Sequence, residues 1–239
     1  MKYNIIATGS GGNCALATFS DEKKVMFDFG KGCFKKCTDV GLVLNSVDQI
    51  LISHAHDDHA GDARLIPHLL ERRANLEIFT FPLIHNIENQ GFLVANLSTK
   101  EAFYYLTDFN EIPDNSLITI TDTLRHLHGR NYKIMFIMEL SYCQHLFDRL
   151  DEKQKIGLKS HLSDVQFFKY AKIFKNVAPS INFITTHASQ RGDWSQELKG
   201  WNGTVCPPDW VKIQLFNRLG NARFGEAFGF AKTYYYINF

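Results

Sequence analysis

The sequence predicts a mixed α/β (α+β) fold of stacked sheets and helices, and three observations lead to it. Short apolar runs, such as residues 50–52 and 181–185, have the length and the β-branched content of buried strands. Residues 164–175 have a helical pattern, and Ser163 and Gln166 form a capping box before them. Several of the strand-like runs lead directly into histidines or an aspartate, and strand ends are the usual place for chemistry in a layered α/β fold.

Length, composition and charge narrow the class of protein. The 239 residues, 45% of them hydrophobic, suit a single domain over 1–239 with a sizeable core. A formal net charge of +1 argues against coating a long nucleic acid through charge alone. Five scattered cysteines favour reduced thiols and a cytoplasmic location, which would be the host cytoplasm for a viral protein. We expect no membrane partner, because no apolar run approaches the roughly 20 residues that span a bilayer.

The first 30 residues predict three strands around a glycine-rich loop. Strands are expected at 3–8, 14–19 and 24–29, and the last of them ends in Asp28-Phe29-Gly30. The loop Gly9-Ser10-Gly11-Gly12-Asn13-Cys14 lets its backbone approach a ligand closely, but it lacks the lysine and hydroxyl residue of a phosphate-binding P-loop.

The densest cluster of potential metal ligands is the string His54-Ala55-His56-Asp57-Asp58-His59, which follows the apolar run 50–52. Imidazole and carboxylate groups suit zinc-like divalent ions, and an ordinary surface turn has no need of three histidines so close together. The string therefore predicts a metal site at a strand end.

Beyond this string, further candidates follow predicted elements. A helix is expected over 64–73, a short strand over 76–79 leads towards His85, and the strand 102–106 leads to Asp108. A charged helical stretch is expected over 143–159. His161 stands just before the capped helix, and the strand 181–185 leads to His187 and Ser189. An aromatic, glycine-rich extension begins at about residue 192.

These motifs together resemble the metallo-β-lactamase-fold hydrolases. Within that fold, the chain is most similar to the phosphodiesterase branch, which includes exonuclease-like proteins, tRNA-processing ribonucleases and phage enzymes that destroy cyclic-nucleotide signals. The resemblance extends from about residue 3 to about residue 189. It implies an αββα sandwich that holds two divalent metal ions at one sheet edge, with zinc favoured and manganese as the second choice.

The resemblance also implies roles for individual residues. It assigns His54, His56 and His85 to the first metal, and Asp58, His59 and His187 to the second. Asp108 matches the carboxylate that bridges both ions.

The remaining roles concern the reaction and the substrate. Asp58 and His161 are the main catalytic candidates, and His161 matches a histidine that contacts the scissile phosphate. Asp57 is expected to orient a ligand histidine or the attacking water. Ser163 and Ser189 are candidate substrate contacts.

Three residues compete with this set. Asp122, in Thr121-Asp122-Thr123, is a rival for the bridging position. His126 and His128 are rivals for His85, although they follow both aspartate candidates and so stand in the wrong order. One departure from the family pattern is the short segment between His59 and His85, which predicts a shortened sandwich and a more open site, or one that a partner subunit completes.

The function that follows from the resemblance is hydrolysis of a nucleotide phosphodiester, most simply that of a small cyclic nucleotide. A single-strand DNA or RNA nuclease is the alternative, with the lysine-containing segments 31–36 and 153–159 as a groove. Hydrolysis of lactams, lactones or thioesters, and a binding protein with a degenerate metal site, are further alternatives. The aromatic extension favours packing at a core or homodimer interface over base stacking.

Overall fold

The computed structural model describes residues 1–7, 11–66, 76–142, 144–186 and 213–215. The strands are β1 Lys2–Ala7, β2 Cys14–Thr18, β3 Lys24–Phe27, β4 Gln49–Leu51, β5 Leu76–Leu83, β6 Asn89–Asn96, β7 Glu101–Leu106, β8 Lys133–Glu139, β9 Asn182–Thr186 and β10 Ile213–Leu215. The α-helices are α1 Cys33–Asp39, α2 Asp57–Ala60, α3 Asp114–Gly129, α4 Gln144–Phe147, α5 Glu152–Ile156 and α6 Asp164–Val177. Single 3-10 turns lie at Leu44–Ser46 and Ala63–Leu65.

The strands form two sheets. The first has the order β1-β2-β3-β4, with only the β3–β4 pair parallel. The second has the order β10-β9-β8-β7-β6-β5 and is parallel from β7 to β10 and antiparallel at β5, β6 and β7. The carboxyl ends of parallel neighbours meet at one edge of a sheet, which places the loops after β7 and β8 side by side.

The two sheets pack face to face through a continuous apolar core. From the first sheet this core takes Val25 and Phe27, and from the second it takes Phe103, Tyr105 and Ile137. Alternate residues of a strand point to opposite faces, so the neighbouring side chains of β7 face the helices instead. All six residues of β7 are buried, as expected for a strand covered on both sides.

Helices cover the outer face of each sheet. On the second sheet, α3 and α6 pack against aromatic side chains, and the ring of Phe136 stacks on that of Tyr104 with 4.3 Å between centroids. On the first sheet, the buried Cys33 and Cys37 of α1 join the outer cluster. The order is helix, sheet, sheet, helix, and the predicted αββα sandwich is confirmed.

Several local predictions need correction. Residues 63–65, at the start of the helix expected over 64–73, form a single 3-10 turn, and residues 67–75 lie outside the described part of the chain. The expected helical stretch over 143–159 consists of the short helices α4 and α5. The strand expected over 76–79 extends to Leu83, since it pairs with β6 along its whole length.

The capping prediction for α6 is confirmed. Ser163 accepts a hydrogen bond from the backbone of Gln166, whose side chain reaches back to the backbone of Ser163. Among the described helices, none is long and apolar enough to cross a membrane.

Candidate metal centre

Four loops bring histidines and carboxylates together at one edge of the sandwich. Donor atoms of His54, His56, His85 and Asp108 lie within 4.8 Å of one another. The two histidines after β4 meet directly, since Nε2 of His54 is 2.9 Å from Nδ1 of His56. Oδ2 of Asp108 lies 3.5 Å from Nε2 of His54 and 4.0 Å from Nε2 of His85.

Hydrogen bonds determine which ring nitrogen of these histidines faces the cluster. Nδ1 of His85 donates to the carbonyl oxygen of Ser160 at 3.0 Å, which leaves Nε2 unprotonated with a lone pair. In the described part of the chain, this buried Nε2 has no hydrogen-bond partner. Nδ1 of His54 is likewise engaged by the hydroxyl of Ser53, at 2.9 Å.

Burial keeps these rings in the neutral form that a metal ion requires. Burial and the nearby His59 lower the pKa of His54 to about 4. Burial also lowers the pKa of His85. An orphaned, inward-facing lone pair beside a carboxylate is what a divalent cation would satisfy, so the residues present fit a metal ion at this position.

A second set of donors adjoins the first through Asp108. Nε2 of His59 lies 3.1 Å from Oδ2 of Asp108 and 3.7 Å from Oδ2 of Asp58. Asp108 therefore lies between the two sets, as expected for a bridging carboxylate. Its backbone adopts a left-handed conformation (φ 51°), and the side chain of Asn89 donates to its carbonyl oxygen at 2.6 Å.

The buried carboxylate of Asp28 orients histidines of both sets. Oδ2 of Asp28 pairs with Nδ1 of His59 at 2.7 Å. Oδ1 accepts hydrogen bonds from the backbone and the hydroxyl of Ser53, which in turn contacts Nδ1 of His54. Burial lowers the pKa of His59, but Asp28 and Asp108 outweigh that effect and raise it well above its ordinary value. Such partners fix the ring orientation of metal-ligating histidines.

A third carboxylate, Glu139, holds His161 beside Asp108. Oε1 of Glu139 lies 2.7 Å from Nδ1 of His161, and Oε2 accepts a hydrogen bond from the backbone of Phe109 at 2.8 Å. Donor atoms of Asp108, Glu139 and His161 also lie within 4.8 Å of one another. Glu139 is fully buried, whereas His161 retains partial exposure.

Sequence reasoning assigned no role to Asp28 or Glu139. Both stand at the end of an apolar strand, Asp28 after β3 and Glu139 as the last residue of β8. The same strand-end signal that singled out Asp108 could have found them.

Two predicted residues make other contacts than expected. Asp57 is exposed and faces Lys31, with 3.8 Å between the charged atoms, whereas the carboxylate that pairs with His59 is that of Asp28. Ser163 is fully buried, and its hydroxyl caps α6.

The rival candidates lie elsewhere. Asp122, His126 and His128 are on α3, where Asp122 is exposed and pairs with Arg125, and they join neither donor group. All three residues belong to the helix that covers the outer face of the second sheet. The predicted His187 and Ser189 lie outside the described residues.

Comparisons with known proteins agree with this architecture. Residues 7–70 match the model of the metallo-beta-lactamase superfamily. An anti-Pycsar protein, Apyc1, from Bacillus phage vB_BveM-Goe7 is 39% identical over 164 residues, which covers 57% of this chain and 62% of that protein. The chain thus matches less than two thirds of the length of this relative.

Solved structures match most of the chain at low identity. The metallo-beta-lactamase fold protein YhfI from Bacillus subtilis superposes with a TM-score of 0.58 and 14% identity, covering 85% of this chain and 92% of that one. The short form of human tRNase Z superposes with a TM-score of 0.56 and 15% identity, covering 80% and 93%. The resemblance to the metallo-β-lactamase fold is confirmed, and the chain has that fold.

Proposed function

We propose that the chain is a two-metal phosphodiesterase that hydrolyses a small cyclic nucleotide. The observation that carries the proposal is the placement of His161 beside the histidine–carboxylate cluster, with Glu139 holding its ring. Two adjoining donor sets suit a pair of cations, and a histidine at their edge suits the phosphate between them. The relatives named anti-Pycsar proteins come from phages, and the sequence resembles phage enzymes that destroy cyclic-nucleotide signals.

The residues that would hold the cations divide between the two sets. His54, His56 and His85 would hold the first, Asp58, His59 and His187 the second, and Asp108 would contact both. This mixture of imidazole and carboxylate donors favours zinc, with manganese as the alternative. Bound divalent ions supply positive charge to the phosphate and lower the pKa of a water molecule.

His161 would contact the phosphate and transfer a proton. Glu139 engages Nδ1 of His161, so Nε2 is the ring nitrogen that would contact a substrate oxygen. A buried carboxylate at Nδ1 stabilises the protonated ring, which can then donate a proton to the leaving oxygen. The hydrogen bond from the backbone of Phe109 to Glu139 holds the Glu139–His161 pair beside Asp108.

The charges near the site favour a small substrate over a long strand. Lys31 faces Asp57 and Lys35 pairs with Asp39 at 2.6 Å, so two lysines of the 31–36 segment are partly neutralised. Lys155 and Lys159 both contact Glu152. A groove for single-stranded nucleic acid needs uncompensated positive charge along its length.

We further propose that the protein acts inside a cell, in the host cytoplasm if its source is a phage, and that it forms a homodimer. Odd, scattered cysteines and phage relatives support the location, and the aromatic extension supports the dimer.

An activity screen tests the proposal. The purified chain, loaded with zinc or manganese, is offered 3′,5′-cyclic mononucleotides, cyclic dinucleotides, an aryl phosphodiester, single-stranded DNA and RNA, and a chromogenic lactam. The Asp58→Ala/His59→Ala double variant serves as the control. Cleavage of a cyclic nucleotide by the wild type alone is the expected result.

Other outcomes discriminate the alternatives. Cleavage of the strands but not of cyclic nucleotides would identify a nuclease, and cleavage of the lactam alone would move the chain to another hydrolase class. A metal-loaded protein that leaves the whole panel intact would overturn the proposal.

A further inference from the structure

Asn13, the last polar residue of the glycine-rich loop, reaches into the second donor set. It is 3% exposed. Its side-chain nitrogen Nδ2 lies 2.8 Å from Nε2 of His59 and 3.2 Å from Oδ2 of Asp58. One amide group therefore contacts the donor atoms of both residues that would hold the second metal.

The backbone around Asn13 fixes this amide in place. Its backbone nitrogen donates to the carbonyl oxygen of Asp58 at 2.6 Å, and its carbonyl oxygen accepts from the backbone of Gly30 at 3.0 Å. A side chain at Gly30 would collide with the carbonyl of Asp58. The backbones around Asn13, Gly30 and Asp58 are therefore in direct contact. These backbone contacts with Asp58 and Gly30 leave Asn13 little freedom.

The two residues that Asn13 contacts differ in exposure. The ring of His59 is fully buried and has Asp28 at Nδ1, which directs Nε2 towards Asn13. The side chain of Asp58 is 24% exposed. A partly exposed carboxylate has more room to rotate than a fully buried ring, so the Asn13 amide restricts Asp58 more than it restricts His59.

We propose that Asn13 is a positioning residue for the second metal position, where its amide donates to Asp58 and holds that carboxylate beside His59. The proposal rests on the two-metal function proposed above. Preorganised donors bind a cation more tightly, because folding rather than binding has fixed the side chains. The first position depends on other restraints, namely Ser53 at His54 and Ser160 at His85. Loss of the Asn13 side chain should therefore weaken the second metal selectively.

Metal titration of the full chain tests this role without relying on activity. Zinc and manganese binding are followed by calorimetry in competition with a chelator for the wild type, Asn13→Ala and Asn13→Ser. Serine keeps a polar side chain but is too short to span both donors, and it protects the test against a folding defect in the alanine variant. Asn96→Ala is the matched control, since Asn96 is equally buried and pairs with Asp21 instead.

We expect the second binding step to weaken by about 10- to 100-fold in both Asn13 variants, while the first changes by less than about threefold. The Asn96→Ala variant should leave the ratio of the two steps unchanged even if its stability falls. Equal weakening of both steps, or an unchanged second step in a folded Asn13 variant, would overturn the role of Asn13 alone. A wild-type chain that binds fewer than two ions would overturn both this role and the two-metal function.

Discussion

The hydroxyl of Tyr105 donates a 2.7 Å hydrogen bond to Oδ2 of Asp28. Tyr105 belongs to β7 in the second sheet, whereas Asp28 follows β3 in the first, so this bond crosses the interface between the sheets. Burial and the Asp28 carboxylate raise the pKa of Tyr105 well above its ordinary value, which keeps the phenol protonated as a donor. Packing of the two sheets is thereby linked to the orientation of His59.

Replacing Asp28 with asparagine should weaken the second metal position. The substitution preserves the shape of the side chain but removes the negative charge that faces Nδ1 of His59. We expect the affinity of the second binding step to fall by about 10- to 100-fold, which calorimetric titration would measure. Tyr105→Phe should have a smaller effect, because it removes only one contact of Asp28.

Asp21→Asn provides the control for the Asp28 substitution, since Asp21 pairs with Lys23 and Asn96. An Asp28→Asn protein that folds and binds both ions as the wild type does would contradict the orienting role.

Filling the second metal position should release a proton from His59. The pKa of this ring is raised well above its ordinary value, so the metal-free ring carries a proton at neutral pH that a cation must displace. Affinity at this position should therefore fall as the pH falls. The first position should respond less near neutrality, because the pKa of His54 is about 4 and its ring is already neutral.

Calorimetry in buffers of different ionisation enthalpy measures the proton released. We expect about one proton for the second step and less in the Asp28→Asn variant. Observed heats that do not depend on the buffer would show that His59 is neutral before the metal binds.

Glu139→Gln should slow the reaction without emptying the metal site. Glutamine keeps the length of the side chain but loses the charge that stabilises protonated His161. We expect kcat to fall by about 100-fold, within the range for loss of an oriented proton donor, with a smaller change in KM. Metal content, measured by elemental analysis, should remain that of the wild type.

A double-variant comparison separates this role from general damage. In a His161→Ala background, Glu139→Gln should have little further effect on kcat, because the two side chains act as a unit. Independent, multiplicative losses would show that Glu139 acts through another group, such as the backbone of Phe109.

Phe136→Ala should destabilise the outer core. The ring of Phe136 is fully buried, stacks on Tyr104 and lies 4.8 Å from the ring of Phe174 on α6. The cavity should lower the free energy of unfolding by about 3–5 kcal/mol, measured by urea denaturation of the metal-free chain. Phe79→Ala is the control, since Phe79 is 44% exposed on β5 and should cost far less. Similar losses in the two variants would show that this helix–sheet layer contributes little.

The sequence predicted candidate metal-binding residues best where each of them follows its strand closely along the chain. His54 and His56 stand three and five residues after β4, and Asp108 stands two residues after β7, so the apolar runs before them pointed to them. The capped start of α6 is equally local. Such features depend on short-range hydrogen bonds and on strand periodicity.

Contacts between distant segments were harder to predict. The partners of Asp28 come from Ser53, His59 and Tyr105, and no spacing in the sequence connects them. The sequence predicts that Asp57 orients a ligand histidine or the attacking water, but α2 begins at this residue and leaves it exposed. Asp122 is a rival for the bridging position through its motif Thr121-Asp122-Thr123, and its exposed position on α3 removes it from the cluster.

The left-handed backbone at Asp28 and Asp108 implies a trade-off between the stability of the fold and the carboxylates that the site needs. With φ values of 58° and 51°, both residues occupy a conformation that glycine adopts at lower cost than any L-residue with a side chain. Selection for thermal resistance alone would replace them with glycine, yet each replacement would delete a carboxylate from the centre. A version of this chain engineered only for stability would therefore tend to lose its cations first.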